Sequence, residues 1–71
     1  MKLGYYNPQL KFKQIVRDGK VVGNLLLTHR AWGYVVELHY FNQPGYAVKE
    51  SFDTEEKAVR FFDKTYEEVQ R

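Results

Sequence analysis

The chain of 71 residues contains no cysteine, which excludes disulfide scaffolds, thiolate zinc sites and thiol catalysis together. Long apolar runs are also missing. The longest is Leu25-Leu26-Leu27, far short of the ~20 residues that a membrane-spanning helix needs. Lys2-Leu3-Gly4-Tyr5-Tyr6 followed by Asn7-Pro8 holds no apolar secretory core, so a cytoplasmic protein is expected. Histidine is limited to His29 and His39, and Ser51 is the sole serine. Glu37 and His39 stand at i, i+2 and offer two metal ligands on one strand face, but the pattern supplies no third. The five glycines fall at turns or strand kinks and form no phosphate loop. The sequence therefore predicts a chain that is not an enzyme, with no metal, no cofactor and no small-molecule substrate.

What the chain has instead is aromatic bulk. Six Tyr, five Phe and one Trp make 17% of the residues, a large packing resource for a domain this small. Hydrophobic content of 44% and charged content of 28% describe a folded chain. No linker, repeat or low-complexity run divides it, so residues 1–71 form one domain.

Turn chemistry and periodicity give the elements. Gly4 and Asn7-Pro8 mark residues 1–9 as an irregular lead-in. Asp18-Gly19, with apolar residues alternating on both sides, is a two-residue hairpin signal, because both central positions need positive φ. A third strand spans about Trp32 to Phe41, Pro44-Gly45 turns the chain, and a fourth strand runs from Tyr46 to Phe52. Asp53 with Glu56 makes a capping box, Thr54 being the rival N-cap. Ala58, Phe61, Phe62, Thr65, Tyr66 and Val69 then form one apolar stripe of a helix over 53–71. The fold class is α+β, a four-stranded antiparallel meander over residues 10–52 packed on one C-terminal helix.

Pairing across Asp18-Gly19 sets Val16 against Val21, Gln14 against Gly23, Phe12 against Leu25 and Leu10 against Leu27 on the helix side. Tyr34, Val36, Leu38 and Tyr40 complete that inner face. The outer face then carries Lys11, Lys13, Arg17, Lys20, Asn24, Thr28 and Arg30, with Glu37 and His39. Lys49 joins it if Tyr46, Val48 and Phe52 point inward. Residues 1–52 sum to a charge of +4 and residues 53–71 to −2, so the sheet is basic and the helix acidic. A basic sheet face is a footprint for nucleic acid, or simply edge protection by lysine.

Ile15, Val22, Leu26, Val35 and Phe41 are expected on the same outer face. They form either a partner-binding patch with a basic rim or a surface that Tyr5, Tyr6 and the N-terminal segment fold back to cover. Trp32, before Gly33, either anchors a ligand or caps the end of the core.

The run Trp32-Gly33-Tyr34-Val35-Val36-Glu37-Leu38-His39, followed by a turn, a strand and Phe52-Asp53-Thr54-Glu55-Glu56-Lys57-Ala58-Val59-Arg60-Phe61-Phe62-Asp63, resembles two related families. These are the APETALA-type DNA-binding domain of plant factors and the arm-type domains of phage and transposon integrases, and the likeness covers roughly residues 28–66. The resemblance implies a three-stranded sheet on one helix, laid into the major groove of DNA. It implies DNA contacts by Arg30, Trp32, Glu37 and His39, with Ala58 and Phe62 packing on the sheet. Two functions follow as expectations. In the first, the outer face binds duplex DNA, with Lys11, Lys13, Arg17, Lys20 and Arg30 on phosphates and Trp32, Glu37 and His39 nearer the bases. In the second, Ile15, Val22, Leu26, Val35 and Phe41 bind a protein, either a second copy or a nucleic-acid enzyme held by a small phage-type inhibitor.

Overall fold

The computed structural model of the chain describes residues 9–70. Four antiparallel strands, β1 (Gln9–Arg17), β2 (Lys20–Arg30), β3 (Gly33–Tyr40) and β4 (Val48–Phe52), form one sheet in sequential order. A single helix, α1 (Glu55–Gln70), packs across one face. This is the α+β meander that turn chemistry and periodicity predict, with Gln9 already in β1. Residues 1–8 of the expected lead-in, and Arg71 at the expected end of the helix, lie outside the described residues.

The Asp18-Gly19 turn forms as its chemistry requires, with φ of 53° and 78° at the two positions. The N-terminus of α1 takes the rival cap. The Lys57 amide donates to Thr54 Oγ1 at 3.3 Å, so Thr54 is the N-cap and Lys57 stands at N3, where a capping box would need Glu or Gln. Asp53 instead accepts a hydrogen bond from Lys57 Nζ at 3.1 Å. The helix buries Ala58, Phe62 and Thr65 and half-buries Phe61, Tyr66 and Val69 along the expected stripe. Those side chains meet Leu25, Leu27, Val36 and Leu38 from the two central strands, with Tyr34, Tyr40, Val48 and Phe52 at the margin.

One strand departs from expectation, and the departure decides which residues reach the outer face. Val16 pairs with Val21 as predicted, but Ile15 pairs with Gly23. Val22 is therefore an extra residue on β2, a β-bulge that shifts the pairs from Ile15 to Lys11 by one, before a second irregularity between Lys11 and Gln9. Lys13 faces Leu25, Lys11 faces Leu27 and Phe12 faces Leu26. Because side chains alternate with a period of two, a shift of one residue turns the strand over. Ile15 becomes part of the helix-side core and is fully buried, whereas Leu10, Phe12 and Val16, expected inside, are exposed.

The lysines fit on the helix side because β1 is an edge strand that the helix covers only partly. Their alkyl stems lie along aromatic rings while their charged ends reach water or a carboxylate. Lys11 Nζ sits 5.1 Å from the Phe62 ring centroid and 2.7 Å from Asp63 Oδ1. Lys13 Nζ sits 5.4 Å from the Tyr66 centroid. Among the described residues no helix is long and apolar enough to cross a membrane.

Candidate interaction surface

Three of the five cations expected on the outer face are engaged on the helix side. Besides Lys11 and Lys13, Arg17 donates from Nη2 to the Val69 carbonyl at 2.6 Å, near the C-terminal end of α1. A guanidinium there meets the unpaired carbonyls and the negative end of the helix dipole. Among the described residues one ion pair, Lys11 with Asp63, joins the basic sheet to the acidic helix, and Arg17 meets the helix through a backbone carbonyl. The sequence showed the charges without showing that the most basic strand leans toward the acidic helix. Lys20 remains exposed at the hairpin tip.

Arg30 does reach the outer face, but it is occupied there. Its Nε donates to Thr28 Oγ1 at 3.2 Å and its Nη2 to Glu37 Oε2 at 3.2 Å. Glu37 stands opposite Leu26 on β2 and Lys49 on β4, on the face away from the helix, yet it is only 4% exposed. A carboxylate held in this way is unavailable to accept from a base edge. Trp32, in the β2–β3 turn, is 68% exposed with the Arg30 guanidinium 5.8 Å from its ring centroid. It caps no core and stands as an open aromatic surface. His39 packs edge-on against Tyr46 at 4.3 Å between centroids, and Lys49 Nζ lies 4.8 Å from the same Tyr46 ring. Val48 and Phe52 point to the helix side as the outward placement of Lys49 requires, but Tyr46 does not.

The expected apolar patch is also redistributed. Ile15 is in the core, and Val22, the bulge residue, packs against that core. Leu26 and Val35 are on the outer face, opposite Phe12 and Ser51 respectively, and Phe41 is exposed just after β3. The residues missing from the expectation are Phe12, Val16, Val21 and Tyr46, all exposed. The first three follow from the bulge at Val22, and no local signal in the sequence marks it. At the bulge Val22 packs against the core and Val21 is left exposed, while Ile15 comes inside.

The outer face is thus apolar and aromatic with one internal ion pair, rather than basic. Phe12 and Leu26 lie directly opposed on this face, and Val35 beside them on β3 is buried at 1% exposure. Trp32 stands beyond one end, and the directly opposed Val16 and Val21 lie toward the other. The strand edges offer less. Inward-turned lysines guard β1 on its helix side, and the Val16 amide donates to Gln70 Oε1 at 3.3 Å. Compared with protein-family models, curated proteins and solved structures, the chain matches none.

Proposed function

We propose that this chain is a non-enzymatic protein-binding module that works through the outer face of its sheet. The observation that carries the reading is the bulged register of β1, which turns Phe12 and Val16 away from the helix and leaves them exposed. Burying a side chain of that size is worth about 1.5–3 kcal/mol. A strand that forgoes this on its helix face, and places two lysines there instead, gains most when something else covers the face it presents. Trp32 and Tyr46 suit the same use, since aromatic residues anchor protein interfaces.

Duplex DNA is the second reading, supported by the basic balance of the sheet and by the likeness of residues 28–66 to sheet-type DNA-binding domains. Against it stand the prior engagements of Lys11, Arg17 and Arg30. Fluorescence anisotropy of a labelled random duplex between ~50 and ~200 mM salt separates the two. The expected outcome is no saturable binding at the low-salt end. Tight binding whose log affinity falls linearly with log salt would transfer the function to DNA. On the protein side, sedimentation velocity over a range of concentrations tests a second copy as partner. Bait pull-down compared between the wild type and Phe12→Ser tests other partners. A specific partner should be lost with Phe12→Ser while the melting midpoint stays within a few degrees; a partner retained unchanged would place binding elsewhere.

A further inference from the structure

We propose that the edge of β1 accepts an extended acidic peptide as a further strand of the sheet, with alternate side chains entering the groove between β1 and α1. Two hydrogen bonds show which backbone groups this edge leaves open. The Val16 amide reaches Gln70 Oε1 and therefore points away from β2. On β2 the Val22 carbonyl accepts from the Phe41 amide at 2.9 Å, so beyond the bulge the even-numbered residues turn to β3 and Leu25 and Leu27 turn to β1. Lys13 and Lys11, paired with those leucines, turn their own backbone groups into the sheet. By alternation the amides and carbonyls of Phe12 and Gln14 face outward. Among the described residues no strand pairs with them there, and Phe12, Lys13 and Gln14 are all exposed.

The helix gives this edge a wall. A groove of about 930 Å³ lies between β1 and the flank of α1, with the half-buried Tyr66 lining it beside Lys13. Gln70 closes one end through its bond to Val16, and the Lys11–Asp63 pair stands at the other. A strand laid along Phe12 and Gln14 would send alternate side chains into this groove and the rest toward the outer face. Main-chain bonds would then supply affinity and the groove would supply selection, as in other cases of strand addition.

Charge selects the occupant. Two of the groove's charged groups are already engaged, Arg60 by Glu56 and Asp63 by Lys11. Lys13, Lys64 and Glu67 have no oppositely charged partner within ion-pair distance among the described residues, which leaves two ammonium groups against one carboxylate. A carboxylate on the incoming strand opposite Lys13 meets that excess. A second copy does not. Antiparallel self-pairing centred on Phe12, with both helices on one side, sets Lys11 against Lys13, and centring on either lysine sets it against itself. The lysines that keep another copy from this edge are thus the groups that favour an acidic strand.

The inference stands apart from the outer-face reading, because it uses the backbone of β1 and the cations on its helix side. The probe is a fluorescein-labelled octapeptide of alternating valine and glutamate, titrated into the full chain and followed by anisotropy and amide hydrogen exchange. Saturable binding is expected, with exchange slowed at Phe12 and Gln14 and unchanged on β4. The matching valine–lysine peptide should bind several-fold more weakly. Lys13→Glu, which breaks no ion pair among the described residues, should reverse that preference while leaving the circular dichroism spectrum unchanged. No saturable binding, equal binding of the two peptides, or unslowed exchange at Phe12 and Gln14 would overturn the proposal. So would a preference that Lys13→Glu leaves as it was.

Discussion

At the scale of single residues, the Arg30–Glu37 pair is the most consequential contact outside the core. Both groups have left most of their water, and each is held mainly by the other. Removing one partner strands the other, which typically costs 3–5 kcal/mol for a fully buried pair. The residual exposure of Arg30 argues for the lower end. Arg30→Ala is expected to destabilise the chain by about 3 kcal/mol in urea unfolding. The double variant Arg30→Met with Glu37→Leu should recover most of that loss, because it leaves no unpaired charge behind. If the double variant is as unstable as the single one, the pair is not the source of the effect.

At the scale of elements, the start of α1 separates two residues with similar credentials. Thr54→Ala removes the acceptor for the Lys57 amide and should cost about 1 kcal/mol in chemical denaturation. Asp53 is fully exposed, and its role is electrostatic. The Lys57 ammonium beside it, by hydrogen bond and charge, holds its carboxyl below the ordinary 3.8. A lowered carboxyl pKa contributes stability above the ordinary range and loses it as pH falls through the folded value. Lys57→Ala should return the Asp53 titration, followed by carboxyl chemical shift, to the ordinary range.

These two residues also illustrate what the sequence discloses. Asp53 and Thr54 both suit a cap by composition, and only the phase of the first helical turn chooses between them. The same limit, larger in effect, applied to β1. The strand, its turn and its first pair, Val16 with Val21, were legible because Asp-Gly chemistry is local. The face it presents was not legible, since that depends on one residue of bulge settled by packing between β1, Gly23 and the helix. Leu25 and Leu27 of β2, the inner residues of β3, and Val48 and Phe52 of β4 kept their expected face, whereas Val21 and Val22 exchanged theirs at the bulge. In the candidate surface, Leu26, Val35, Arg30, Glu37 and His39 fell where alternation placed them. Every site residue on β1 turned over together.

At the scale of the whole molecule, stability rests on one thin layer between sheet and helix. A core in a domain this small rarely supplies more than ~3–5 kcal/mol. Phe62 is fully buried at its centre, and truncating such a side chain to alanine costs about 3–5 kcal/mol. Phe62→Ala should therefore leave the chain largely unfolded at room temperature by circular dichroism. A variant that melted like the wild type would mean that the helix is not held by this layer.

The clasp between the first strand and the last helical turn bears on how the chain folds. Lys11 with Asp63, Val16 with Gln70 and Arg17 with Val69 each join residues more than fifty positions apart. Contacts at that separation close a loop of nearly the whole chain, and the entropy of closure is met before they contribute anything in return. The β1–β2 and β2–β3 hairpins close short loops, whereas these three β1–α1 contacts require the docked helix. The clasp thus ties the first strand to the last helical turn, so a change at either end of the described chain is felt at the other.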